Sequence, residues 1–139
     1  MKWCEIKTST DIEYLQKLYN NFADSILVSY KFESGNFVDD NQVSHEFNSN
    51  KLYLLFQRLD SNPNSIEIMF DYTKRFNFFA PVGSADSWRS EIGFAKIVQN
   101  GKWFYWTTWE AFDSENEEHL NYNDFILIQA QQVKWRIVK

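Results

Sequence analysis

The stretch Asn100-Gly101-Lys102-Trp103-Phe104-Tyr105-Trp106-Thr107-Thr108-Trp109 decides how this chain is read. Asn100-Gly101 predicts a two-residue hairpin turn, because a type I′ turn needs positive φ at both central positions. The strand that follows carries large rings on both faces. Trp103, Tyr105, Thr107 and Trp109 share one side; Phe104, Trp106 and Thr108 share the other. A sheet wetted on one side has no use for that pattern. Either protein covers both faces, or one of them presents rings to a ligand such as a sugar. Packing is the expected use, since aromatics on strands mostly serve the core.

Working outward, Glu91 to Gln99 supplies the other arm of this hairpin. Lys51 to Leu59 alternates Leu52, Leu54, Phe56 and Arg58 against Tyr53, Leu55, Gln57 and Leu59. The turn chemistry of Asp60 to Ser65 then returns the chain through Ile66, Ile68 and Phe70. From Ser25, the residues Ile26, Val28, Tyr30 and Phe32 alternate with Leu27, Ser29, Lys31 and Glu33 as far as Ser34-Gly35-Asn36. Further strands are expected over Arg75 to Ala80, stopped by Pro81, and over Phe125 to Ala130 and Val133 to Val138. Residues 37 to 50 read as a loop or ragged edge strand, and 81 to 90 as a loop. Near the start, Thr10 caps a helix, Glu13 closes its capping box, and Ile12, Leu15, Leu18, Tyr19 and Phe22 share one side. One helix and about eight strands on hairpin-length connections predict a single α+β domain over residues 1–139, mostly β. Its N-terminal helix packs on a curled antiparallel sheet, in a sandwich or partly open barrel.

The totals exclude several classes. Net charge is −5, from 14 basic and 19 acidic side chains, and no basic run exceeds Lys74-Arg75. Neither nucleic acid nor an anionic membrane is an expected partner. Cys4 is the sole cysteine, so no internal disulfide can form. With no leader pattern at the start, the chain reads as cytosolic.

Catalytic signals are missing. There is no Gly-x-Ser-x-Gly and no phosphate-cradling glycine motif. His45 and His119 are the only histidines, and His119 sits in an acidic connection without zinc or calcium spacing. Neither cofactor nor metal is expected. Arg58 and Arg136 lie among apolar neighbours, and each should pair with a carboxylate or stack on a ring. Charge is the better functional lead. Carboxylates gather at Asp39-Asp40 and again at Glu110, Asp113, Glu115, Glu117, Glu118 and Asp124, directly after the aromatic strand. A ring anchor at Trp106 or Trp109 beside the rim Asp113, Glu115, Glu117 and Glu118 suits a basic protein partner.

Three segments carry a resemblance: Phe22-Ala23-Asp24-Ser25; Leu55-Phe56-Gln57-Arg58 with Asn62-Pro63-Asn64-Ser65-Ile66-Glu67-Ile68; and Val133-Lys134-Trp135-Arg136. With them the chain resembles an uncharacterised family of small bacterial proteins. It is also faintly similar to immunity proteins that accompany bacterial polymorphic toxins. The resemblance implies a compact bacterial domain with no catalytic residue to carry over. The expected function is a non-enzymatic interaction domain, an immunity-type inhibitor of a basic toxin. A small-ligand or carbohydrate-binding module is the alternative, and an enzyme of unrecognised type comes third.

Overall fold

The structure is a computed structural model that describes residues 2–47, 49–78, 91–116 and 125–138. In chain order the elements are β1 (Cys4–Ile6), α1 (Ser9–Leu18), a 3-10 turn (Asn20–Phe22), β2 (Ser25–Glu33), β3 (Phe37–Val38), β4 (Ser44–His45) and β5 (Lys51–Arg58). Then follow β6 (Ser65–Asn77), β7 (Glu91–Ile92), β8 (Lys96–Asn100), β9 (Trp103–Thr107) and β10 (Leu127–Val138). The main sheet runs β7-β2-β5-β6-β10-β9-β8, with β1 added to β10, while β3 and β4 form a separate ribbon.

That order determines the shape. β7 and β8 are its two opposite edges, yet only Gly93, Phe94 and Ala95 separate them in the chain. So short a link spans roughly 10–14 Å, and the sheet must curl until its edges nearly meet. The mostly-β fold with one helix on a curled antiparallel sheet is therefore present, as a half-barrel and not as a sandwich.

The helix and its 3-10 extension fill the opening. Leu15, Tyr19 and Phe22 are fully buried. Phe22 sets its ring edge-on to Phe56 at 5.2 Å and to Trp106 at 5.6 Å, joining helix, β5 and β9 in one core. Leu52, Leu54, Ile66, Ile68, Phe70, Val133 and Trp135 complete the inner face. Burying each such side chain stabilises the fold by roughly 1.5–3 kcal/mol. Arg58 stacks its guanidinium 4.2 Å over the Tyr19 ring and donates to the Pro63 and Leu18 carbonyls at 2.9 and 3.1 Å. Arg136 pairs with Glu67 at 2.7 Å and lies 4.4 Å over Trp3. Both arginines are thus used as their apolar surroundings require.

Several boundaries differ from the sequence expectation. The helix cap is Thr8, not Thr10. Thr8 to Asp11 repeats the capping-box spacing two residues earlier, and Asp11 accepts from the Lys7 and Thr8 amides at 2.9 and 3.0 Å. Those two hydrogen bonds hold the Asp11 carboxyl below the usual carboxylate range. The hairpin turn is Gly101-Lys102, closed by the Asn100–Trp103 pair, and only Gly101 has positive φ. This is the pattern of a type II′ turn, in which Gly takes the first central position.

The strand expected over Glu91 to Gln99 is two strands on opposite edges. The pieces expected at Ile66–Phe70 and Arg75–Ala80 are one strand, β6. Tyr72 bends it at φ 54, and Asn50 bridges the bend by accepting from Thr73 N at 2.6 Å. β10 likewise joins two expected strands, with a register shift between Gln129 and Ala130. Such bulges let one long strand serve two regions of a curled sheet. β1 was not expected: three residues without alternation give no strand signal.

Candidate interaction surface

The structure divides the residues that the sequence grouped together. Trp106 is 0% exposed, on the inner face against Phe22 and Phe56. It has no surface to offer a partner, so its expected role as an anchor is overturned. Its strand is covered on the other side as well. Tyr105, Phe112, Phe125 and Leu127 form a second apolar cluster, against which Trp103, Val98 and Trp109 pack. Trp109 is half-buried, stacked on Phe125 at 5.3 Å and edge-on to Phe112 at 6.4 Å. On that side Trp103 and Trp109 are only partly buried, with ring area used in packing.

The acidic connection begins as a tethered turn. Lys96 Nζ donates to the Glu110 and Phe112 carbonyls at 2.7 and 2.9 Å, pinning it to β8. Asp113 and Glu115 are exposed, and Asp113 accepts from the Glu115 amide at 3.0 Å. Trp109, Asp113 and Glu115 therefore belong to one loop, apart from Trp106. Glu117, Glu118 and His119 lie outside the described residues.

Rings that face solvent gather elsewhere. Tyr30 stacks on Phe78 at 4.6 Å, Phe32 meets Phe76 at 5.2 Å, and Phe76 meets Phe78 at 5.7 Å. Tyr30, Phe32 and Phe76 are exposed. A bulge in β2 sets their side, turning Tyr30 and Phe32 to the face that carries Leu54 and Leu52, where they stay exposed. Val28 has no partner on β5, and beyond it Tyr30 and Phe32 pair with Leu54 and Leu52, whereas Ile26 pairs with Gln57. The extra residue reverses which alternate side chains face inward, so the regular alternation read from the sequence is split at Val28.

The β3–β4 ribbon adds further rings. Phe37 stacks on its cross-strand partner His45 at 4.6 Å and lies 6.3 Å from Phe47. Phe37 and Phe47 are each 54% exposed. One carboxylate organises the ribbon. Asp39 Oδ1 accepts from the Asn41 and Val43 amides at 2.9 and 3.0 Å, and Oδ2 meets His45 Nε2 at 2.9 Å. The His45 contact, with the two amides, holds the Asp39 carboxyl below the usual range. At the base, Asn36 Oδ1 accepts from Phe47 N at 2.7 Å. There Gly35, at φ +80, leaves only 2.9 Å between a would-be Cβ and the Ser49 carbonyl oxygen. From Phe32 to Asn50 the charged side chains are Glu33, Asp39, Asp40 and Glu46, with no Lys or Arg. Exposed rings beside carboxylates thus occur, but on this ribbon. The Asp39-Asp40 pair and Phe37-Val38 were the available signals in the sequence.

A groove of about 340 Å³ on the outer sheet face is lined by Ser29, Lys31, Glu33, Tyr53, Leu55, Glu67 and Arg136. Its charges are matched internally. Lys31 meets Glu33 at 3.0 Å, which raises the lysine above its ordinary value, and Arg136 is held by Glu67. Among the described residues no three His, Cys, Asp or Glu side chains are grouped to hold a metal ion. No described helix is long and apolar enough to cross a membrane. No protein-family model, no curated protein and no solved structure matches the chain.

Proposed function

We propose that the chain is a cytosolic, non-enzymatic interaction domain for a basic protein, and specifically an immunity-type inhibitor of a basic toxin. The observation that carries this reading is the set of solvent-facing rings, Tyr30, Phe32, Phe37, Phe47 and Phe76, beside a stretch whose only charges are carboxylates. Groups of exposed rings, here Tyr30, Phe32 and Phe76 on the sheet and Phe37 and Phe47 on the ribbon, are what docking surfaces use. Aromatic anchors supply the affinity of such interfaces, and opposite charge speeds and orients encounter. The loop from Asp113 to Glu118 adds to the steering field. Trp109 serves that loop as a packing residue.

A second reading, a small-ligand or carbohydrate-binding module, rests on the outer groove, whose lining residue Tyr53 has its ring 6.5 Å from that of Trp3.

Calorimetry against the product of a toxin-like gene beside this one tests the leading reading. Tight binding that weakens with salt, and that is lost on combining Phe32→Ser with Phe76→Ser, is the expected result. Binding indifferent to salt and to both substitutions would sink it. A shift in tryptophan emission on titration with a sugar panel would favour the second reading instead.

A further inference from the structure

We infer that the β3–β4 ribbon recognises arginine: its ring face takes the guanidinium of an extended basic segment, with Asp40 and Glu46 supplying countercharge. This rests on the basic-partner reading above and narrows it to one element and one side chain.

The geometry of the rings comes first. His45, Phe37 and Phe47 form a row in which neighbours tilt by only 13° and 22°, at 4.6 and 6.3 Å. Phe37 is stacked on His45, and Phe37 and Phe47 keep more than half of their area in solvent for a planar group to cover. A guanidinium is planar, delocalised and weakly hydrated, so it stacks on aromatic rings more readily than the compact, strongly hydrated ammonium. Within the chain, Arg58 and Arg136 lie 4.2 and 4.4 Å over Tyr19 and Trp3, closer than Lys74 and Lys102 lie over Trp103, at 5.2 Å each.

The exposure of the rings comes second. Neither core cluster includes Phe37, Phe47 or His45. Packing does not account for two phenylalanines more than half exposed on a ribbon with two residue pairs. The ribbon is nevertheless ordered in advance, since Asp39 gathers two amides and His45 around one carboxylate. A preformed surface loses less conformational entropy on binding.

Charge selects the occupant. Asp40 and Glu46 are exposed, and no Lys or Arg lies between Phe32 and Asn50. A second copy of this chain would bring the same carboxylates against these, so self-association is disfavoured. An arginine-bearing partner meets both features at once.

The test is an NMR titration of the full chain with two capped peptides, a Gly-Arg repeat and a Gly-Lys repeat of equal length, at low salt. The expected result is that shifts concentrate in residues 37–47 and the arginine peptide binds about fivefold more tightly. Phe47→Leu keeps apolar bulk without a ring face and should cost the arginine peptide about fivefold. Phe37→Ala should do the same, with the Asn41 and Val43 amide shifts reporting whether the ribbon stays folded. Equal affinity for both peptides, unchanged by Phe47→Leu, overturns the arginine inference while leaving a basic partner in place. Shifts confined to Tyr30, Phe32 and Phe76 overturn it too, by moving the contact off the ribbon. Failure of both peptides to bind overturns this inference and the basic-partner reading together.

Discussion

Gln16 Oε1 accepts the Ile97 backbone N–H at 3.0 Å, so a helix side chain ends a sheet edge. β8 is the last strand of its sheet, and its outward amides would otherwise be open to pairing with another chain. The Asn21 carbonyl repeats the device one turn later by accepting from Ala95 N at 2.9 Å. The helix thus fills the barrel and also closes it.

Gln16→Leu should therefore destabilise by about 1–2 kcal/mol, because a part-buried donor loses its partner. Urea unfolding measures the loss, and light scattering should report faster aggregation as the β8 edge opens. Gln16→Glu keeps an acceptor oxygen and should recover most of the stability.

Trp106 separates packing from recognition. Trp106→Ala should cost about 3–5 kcal/mol, as expected for emptying a large buried site. Trp106→Phe should fold, with a smaller loss, and should bind a partner as the parent does, because the ring reaches no surface. A large change in affinity for the folded Phe variant would contradict its placement.

Tyr19 should ionise late. Burial pushes its phenol up to about 12, against the pull of the Arg58 charge. A folded-state pKa above the unfolded value contributes stability that is complete below about pH 10 and is lost as pH rises toward 12. Ultraviolet titration should show a late phase from one tyrosine, and alkaline unfolding should begin within that window.

The ribbon should respond to acid. The Asp39 carboxyl is depressed by His45 and two amides, so its stabilising effect is present above the ordinary carboxylate value and lost as pH falls through the lowered one. Below about pH 4, hydrogen exchange at the Asn41 and Val43 amides should accelerate before the barrel strands open. Asp39→Ala should reproduce that loosening at neutral pH, with little change in the core.

Reading such a surface from sequence fails for a definable reason. Alternation shows that Ile26, Val28, Tyr30 and Phe32 belong to a strand, but a single bulge at Val28 decides which of them face inward. The bulge has no residue signature here. Likewise, the aromatic strand and the acidic loop adjoin in sequence, and burial alone shows that Trp106 belongs to the core. The Asp39-Asp40 carboxylates were visible, while their neighbours Phe37 and Phe47 had no regular period to place them.

The sequence by itself determined the antiparallel class, the amphipathic helix and the main hairpins, and it favoured packing for the aromatic strand after Asn100-Gly101. Those features are local, written in periods of two and 3.6 residues and in turn chemistry. Only the tertiary structure decided that β7 and β8 sit on opposite edges, that the sheet curls to bring them together, and which rings are left in water. Those outcomes depend on pairings between distant residues and on volume to be filled, and no short window of sequence contains them.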